Sequence, residues 1–390
     1  MKLKLLFLSF FIGVTLYAQQ KLKNDPSNKK LIKNIATSLA DKEYKKSIEF
    51  IEKINPNDSI YNDLLITKSY AYLKLEKYDQ SIKIIEEALL LENQKSRYPL
   101  LLNKGINLER LGKLEEAINH YTKTIEEFPR ASALFFNRAL VRMKKENWNT
   151  AYTDLEKSLL YGPFSKSTHY KIGEIYYLEN QLSQALMALT MYLLINPDGE
   201  DSFKTLEAIN TSFSRKNKSE PRNIVYTKDD KSFKTLDLIL SNGVALNPKY
   251  KIDNKIKTPL VKQLTVLFEQ LDTYKGNGGF WDKKMVLFFK WIKSSGNFDN
   301  FIYTICYSIE NPSYKKVIKK NTSKIIPFIG EAIAKWEEII ATDNSENFEG
   351  KQQLVNYVYN QKKLVAKGKV KAKNKIGVWN IYDEDGKIFF

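Results

Sequence analysis

The chain has 390 residues, 43% of them hydrophobic and 27% charged, with 62 Lys and Arg against 45 Asp and Glu. This is globular composition, which excludes disordered, collagen-like and small disulfide-stapled classes and leaves room for more than one core. The single cysteine, Cys306, excludes an internal disulfide and any cysteine-clustered metal site, and two histidines, His120 and His169, are a thin supply for acid–base chemistry, so binding without a cofactor or catalysis is expected.

At the N-terminus, Lys2 and Lys4 precede an apolar run from Leu5 to Tyr17, then Ala18 and Gln19. That order is the layout of a secretory signal, residues 1–18, with cleavage expected between Ala18 and Gln19. The run is short for a membrane span, and an uncleaved anchor is the alternative. The chain is therefore expected in the periplasm or cell envelope, or secreted, where a lone thiol is best buried. Phe301, Ile302, Ile305 and Ile309 put Cys306 on or beside an apolar helical face.

Between about residues 28 and 200 the chain repeats. Small residues recur at Ser47, Ser81, Ala117, Ala151 and Ala185, and large apolar ones four places on at Ile51, Ile85, Tyr121, Leu155 and Leu189. Tyr44, Tyr78, Leu114, Trp148 and Leu182 stand three places before the small column, Gly105, Ala139 and Gly173 form a further one, and Pro129, Pro163 and Pro197 close their units. Paired antiparallel helices account for these columns: small residues stand where two helices come closest, large ones fill the gap, and proline ends the second helix.

The period and residue types resemble the tetratricopeptide repeat family. The resemblance implies a helical solenoid over 28–213, five repeats followed by a capping helix at Ser202–Phe213, with a groove lined by first helices that binds a peptide or partner helix. By alignment the groove takes Tyr70, Leu102, Asn103, Ile106, Phe136, Asn137, Leu140, Tyr170 and Tyr177. Each apolar member could equally belong to the solenoid core. The asparagines suit a peptide backbone because an amide both donates and accepts. Leu102, Phe136 and Ala133 stand where a carboxylate clamp would want cations, so a mainly apolar and aromatic groove is expected.

Ser214 to Asn223 reads as a linker. A mainly helical segment over 222–345 follows, either a compact domain or an irregular continuation of the solenoid, with one stripe from Leu260 to Leu271 after Pro259 and another from Phe328 to Ile340 after Pro327. Gly276 to Gly279 lacks the strand before it and the Gly-Lys-Ser/Thr ending of a phosphate loop and reads as a turn. Residues 350–390 form a small β segment: Leu354–Tyr359 and Val378–Tyr382 have strand composition, and Asp385-Gly386 is a hairpin signal. Lys373 to Lys387 resembles one hairpin of the MORN-like repeats.

Residues 221–390 carry 29 Lys and Arg against 18 Asp and Glu, with Lys315, Lys316, Lys319 and Lys320 on one helical face. Export makes nucleic acid an unexpected partner, and an anionic envelope surface replaces it. The leading function is an exported adaptor or scaffold binding a protein segment. The alternatives are an enzyme in residues 221–350, whose carboxylates Asp272, Asp282, Glu310 and Glu331 show no pairing in their spacing, and a structural component of an envelope assembly.

Overall fold

The computed structural model describes residues 25–91, 97–214, 232–276, 278–342, 344–348, 351–360, 363–371, 374–383 and 385–388. The signal segment with Ala18 and Gln19, most of the linker after Ser214, and Asn277 of the glycine-rich turn lie outside them. The chain is mainly helical with a C-terminal antiparallel sheet. It packs as two compact units, residues 1–124 and 125–390, the division falling in the last turn of α6.

Five helix pairs carry the repeat: α1 (Lys29–Ala40) with α2 (Tyr44–Ile51), α3 (Tyr61–Lys74) with α4 (Tyr78–Leu89), α5 (Arg97–Arg110) with α6 (Leu114–Glu127), α7 (Ser132–Lys144) with α8 (Trp148–Tyr161), and α9 (Lys166–Leu178) with α10 (Leu182–Ile195). Every member of the small column is sealed from solvent, and the large column beside it is buried throughout. The glycines are required by contact: a Cβ on Gly105 would come within 2.3 Å of the Tyr121 ring, and one on Gly173 within 2.5 Å of Leu189.

A further column lies in the turn inside each pair. Lys42, Glu76, Gly112, Glu146 and Asn180 all have positive φ, between 59° and 74°. Each ends its helix with the same two bonds, as when Glu76 N–H donates to Leu73 O and Lys77 N–H to Tyr72 O. This is the Schellman closure, which needs one left-handed residue and satisfies carbonyls that the helix end leaves open.

In the second unit one core runs from Phe135 on α7 to Leu364 in the sheet. At its centre, α10 is apolar nearly all round and is buried from Leu182 to Leu194. A helix of that composition must be covered on every side. It packs on α9, α11 (Ser202–Phe213), α12 (Lys234–Ser241) and α15 (Phe298–Ile305), while α11 packs on α13 (Pro259–Gln270). The helices after residue 232 thus share a core with the last two pairs. Cys306 is fully buried there, as its surroundings lead one to expect, and burial pushes its thiol up to about 12.

Two sequence readings are corrected. Pro327 does not open a helix; α16 runs unbroken from Pro312 to Ala341. Its apolar side, Ile318, Ile325, Phe328, Ala332, Trp336 and Ile340, is buried on both sides of the proline, and Pro327 itself is exposed. The Ser323 carbonyl that loses its donor belongs to an exposed residue, so it is not left in the core without a partner. The lysine-rich stretch before the last strand is itself a strand. β1 (Asn344–Phe348), β2 (Lys351–Asn360), β3 (Lys363–Lys371) and β4 (Asn374–Ile381) form one antiparallel sheet in that order. Gly368 faces Trp379 across β3 and β4, and a Cβ there would fall 2.4 Å from the indole. The Asp385-Gly386 turn forms, returning Ile388 opposite Tyr382.

Asp282 accepts from Gly278 N–H at 2.7 Å and from the Tyr274 hydroxyl at 2.5 Å. After the glycines a π-helical turn, Trp281–Val286, leads into α14 (Leu287–Ser294), with Trp281 buried and donating to the Tyr176 hydroxyl at 3.0 Å. Lys284 reaches the carbonyls of Ile339 and Thr342 and closes the end of α16.

Candidate functional site

None of the nine groove residues is fully buried, whereas the residues beside them are. On the first helices Leu65, Leu101, Phe135 and His169 point inward, as do Ser69, Gly105, Ala139 and Gly173 four places on. The next position in each helix is Ile66, Leu102, Phe136 or Tyr170, all half-buried or exposed. A helix surface turns by 100° per residue, so an inward pair at i and i+4 places i+1 and i+5 at the edge of the packed face.

In the first unit, Tyr70 on α3 is 38% exposed. It meets Tyr44 edge to face at 6.3 Å, and Lys74 lies over its ring at 5.3 Å. On α5, Leu102, Asn103 and Ile106 are half-buried. Asn103 Nδ2 donates to Ser69 Oγ at 3.3 Å, Ser81 Oγ to Ser69 O at 2.8 Å, and Asn107 Nδ2 to Ser81 Oγ at 2.8 Å. This ladder fixes Asn103 through one amide proton.

In the second unit, Phe136, Asn137 and Leu140 line α7, and Asn137 Nδ2 donates to Ala133 O at 2.7 Å. Beneath them Asp154 is held by Arg138 at 2.7 and 2.8 Å and by Arg142 at 2.7 Å, a buried carboxylate between two guanidinium groups. Tyr177 on α9 is half-buried, its ring 5.4 Å from Phe213 and its hydroxyl donating to Ser212 O at 3.2 Å. Packing against α11 thus occupies one side of it.

Tyr170 lines a cleft of about 620 Å³ between α9, the end of α10 and α11. Tyr192 flanks it at 5.4 Å, and Lys166, Asn196, Asp201 and Lys204 supply the polar rim. Lys166 reaches Asn196 Oδ1 only at 3.5 Å. Tyr192, Asn196 and Lys204 come from the second helix of the pair and from α11, so alignment of first helices does not find them.

The remaining candidates are engaged separately. His169 is buried, its Nε2 on Pro163 O at 2.9 Å, and burial lowers it to about 4. His120 contacts Leu101 O at 2.7 Å and is likewise lowered, chiefly by burial. Asp272 pairs with Lys293 at 2.7 Å, Asp282 holds its turn, Glu331 accepts from Asn297 at 3.3 Å, and Glu310 is exposed. Among the described residues no three His, Cys, Asp or Glu side chains are placed to hold a metal ion, and no helix is long and apolar enough to cross a membrane.

Comparison with known proteins agrees with this geometry. A family model described as tetratricopeptide repeat matches residues 100–131, from within α5 to the residue before α7. Mouse sperm-associated antigen 1 is 33% identical over 148 residues, 37% of this chain and 16% of the mouse protein. The Drosophila melanogaster BBSome complex member BBS4 homolog is 25% identical over 169 residues, 43% of this chain and 34% of the fly protein. The chain therefore spans about a third or less of the length of these relatives. Five Schellman-closed helix pairs, buried small-residue columns and the family model over residues 100–131 show that the chain carries tetratricopeptide-type repeats.

Proposed function

We propose that this protein is a non-enzymatic interaction scaffold that holds a protein segment against the half-exposed faces of the first helices of its second unit, α7 and α9. The observation that carries this reading is Tyr170, an exposed aromatic in a formed cleft with Tyr192 beside it and lysines at its rim. Aromatic side chains supply contact area at little entropic cost and are enriched where proteins meet. The fly relative is named as a member of the BBSome complex, which accords with a scaffold role here.

A photo-crosslinking residue placed at Tyr170 or Phe136 of the full chain tests the assignment. Crosslinks from these positions to a common partner, with none from the exposed Leu238, support it. Equal crosslinking from Leu238 removes it. We also propose export, on the basis of Lys2, Lys4 and the apolar run; a mature chain starting at Gln19 by mass spectrometry is the expected result, and an intact N-terminus in the cytoplasmic fraction overturns it.

A further inference from the structure

The first half of α16 carries its charge in a way that works against the helix. Between Asn311 and Gly330 there is no acidic residue, while Lys315, Lys316, Lys319, Lys320 and Lys324 are all exposed. Three pairs, Lys315 with Lys319, Lys316 with Lys320 and Lys320 with Lys324, stand at i,i+4, where like charges destabilise a helix. Lys315 and Lys316 also sit in or beside the first turn, at the positive end of the helix dipole, where cations are disfavoured. The five ammonium groups make no ion pair among the described residues.

On the same face, two turns beyond Lys319, Ile326 is 74% exposed beside the exposed Pro327. At about 1.5 Å per residue the lysine row extends roughly 14 Å before Ile326. The opposite side of the helix is buried through Ile318, Ile325 and Phe328, so this face is fixed outward.

We propose that this face of α16 docks on an anionic lipid bilayer, with the lysines at the headgroups and Ile326 entering the interface. The row uses lysine alone. Arginine would suit the bidentate contacts of nucleic-acid recognition, whereas compact ammonium charges suit a diffuse negative surface. An exposed isoleucine among the lysines adds the apolar contact that interfacial helices make, and neither duplex DNA nor an acidic peptide requires it. The inference rests on α16 alone and does not depend on the groove.

The test is sedimentation of the full chain with phosphatidylcholine vesicles, with and without phosphatidylglycerol. Binding is expected only with phosphatidylglycerol and is expected to fall as salt rises. At about 1 kcal/mol, or roughly 5-fold, per lysine near the surface, the combined change Lys316→Gln, Lys319→Gln, Lys320→Gln and Lys324→Gln should weaken it by at least about 100-fold. Ile326→Ser should weaken it several-fold at all salt concentrations. Circular dichroism of both variants checks that the fold is kept, and Glu replacing Leu238 serves as a distant control. Undiminished binding by the four-lysine variant, no binding to phosphatidylglycerol vesicles, or tighter binding of a DNA duplex or polyglutamate than of vesicles overturns the proposal.

Discussion

Arg130 Nε donates to the Tyr382 hydroxyl at 3.0 Å across 252 residues of sequence. The same guanidinium lies 4.4 Å from the Tyr161 ring centre, 5.3 Å from that of Tyr382 and 5.7 Å from that of Tyr357. Arg130 N–H also donates to Gly386 O at 3.2 Å. One residue in the connection before α7 therefore joins the end of α8, strand β2 and the C-terminal turn. A planar cation suits a cage of rings, each contact contributing about 0.5–2 kcal/mol according to its desolvation.

Arg130→Lys should accordingly destabilise the second unit by about 1–3 kcal/mol although the charge is kept, since an ammonium cannot stack on three rings. Gly386→Ala acts on the same joint from the other side. Gly386 has φ of 84°, and a Cβ would lie 2.8 Å from the backbone of Arg130 and Ala131. Both variants should expose the region after Asn344 to limited proteolysis before the helices are cut; equal cleavage in variant and parent would refute the joint.

The Arg138–Asp154–Arg142 cluster is a second point of vulnerability. Removing one partner from a buried ion pair leaves an uncompensated charge, which costs roughly 3–5 kcal/mol. Asp154→Ala strands two cations and should show this loss in urea unfolding. Arg142→Gln should cost less, because Arg138 still holds Asp154 by two bonds and Arg142 is partly exposed, its side chain at 20%.

The turn column offers a stabilising change. A left-handed conformation costs an ordinary L-residue about 1–2 kcal/mol, and glycine adopts it freely at some cost to the unfolded chain. Glu76→Gly and Glu146→Gly should each raise stability by about 0.5–1 kcal/mol, while Gly112→Ala should lower it by about 1 kcal/mol. Thermal unfolding of the single variants checks the sign. No change at Glu76 and Glu146 would mean that their side chains already compensate the backbone.

This column also marks how far the sequence could be read. The small and large columns were legible because packing at a helix–helix contact constrains side-chain volume, which sequence records. The left-handed position constrains only a dihedral angle, and Lys42, Glu76 and Glu146 carry no trace of it. Pro327 misled for a related reason: its steric rule holds in a helix interior, but whether the affected carbonyl faces water is decided by tertiary packing. Strand β3 was masked by its lysines, although Leu364 and Ala366 are buried within it. The cleft at Tyr170 needed α11 folded back onto the last pair, a long-range contact with no periodic signature.

Acid should act on the second unit through His169. Its Nε2 faces a carbonyl, which can only accept, so in the neutral ring the proton is on Nε2 and Nδ1 is bare. Nδ1 is buried without a hydrogen-bond partner among the described residues, beside the Trp336 ring at 6.1 Å. Protonation would bury a charge facing no acceptor, and desolvation accordingly lowers the group from 6.5 to about 4. Because the folded value lies below the unfolded one, the unfolded chain binds more protons between them, and stability falls as pH drops from about 6.5 to about 4. Over that whole window the loss is about 3 kcal/mol. His169→Gln keeps a donor for Pro163 O and removes the titration, so urea midpoints for the variant should drop less than those of the parent between neutral pH and pH of about 4. Parallel curves for the two proteins would assign the acid sensitivity to other groups.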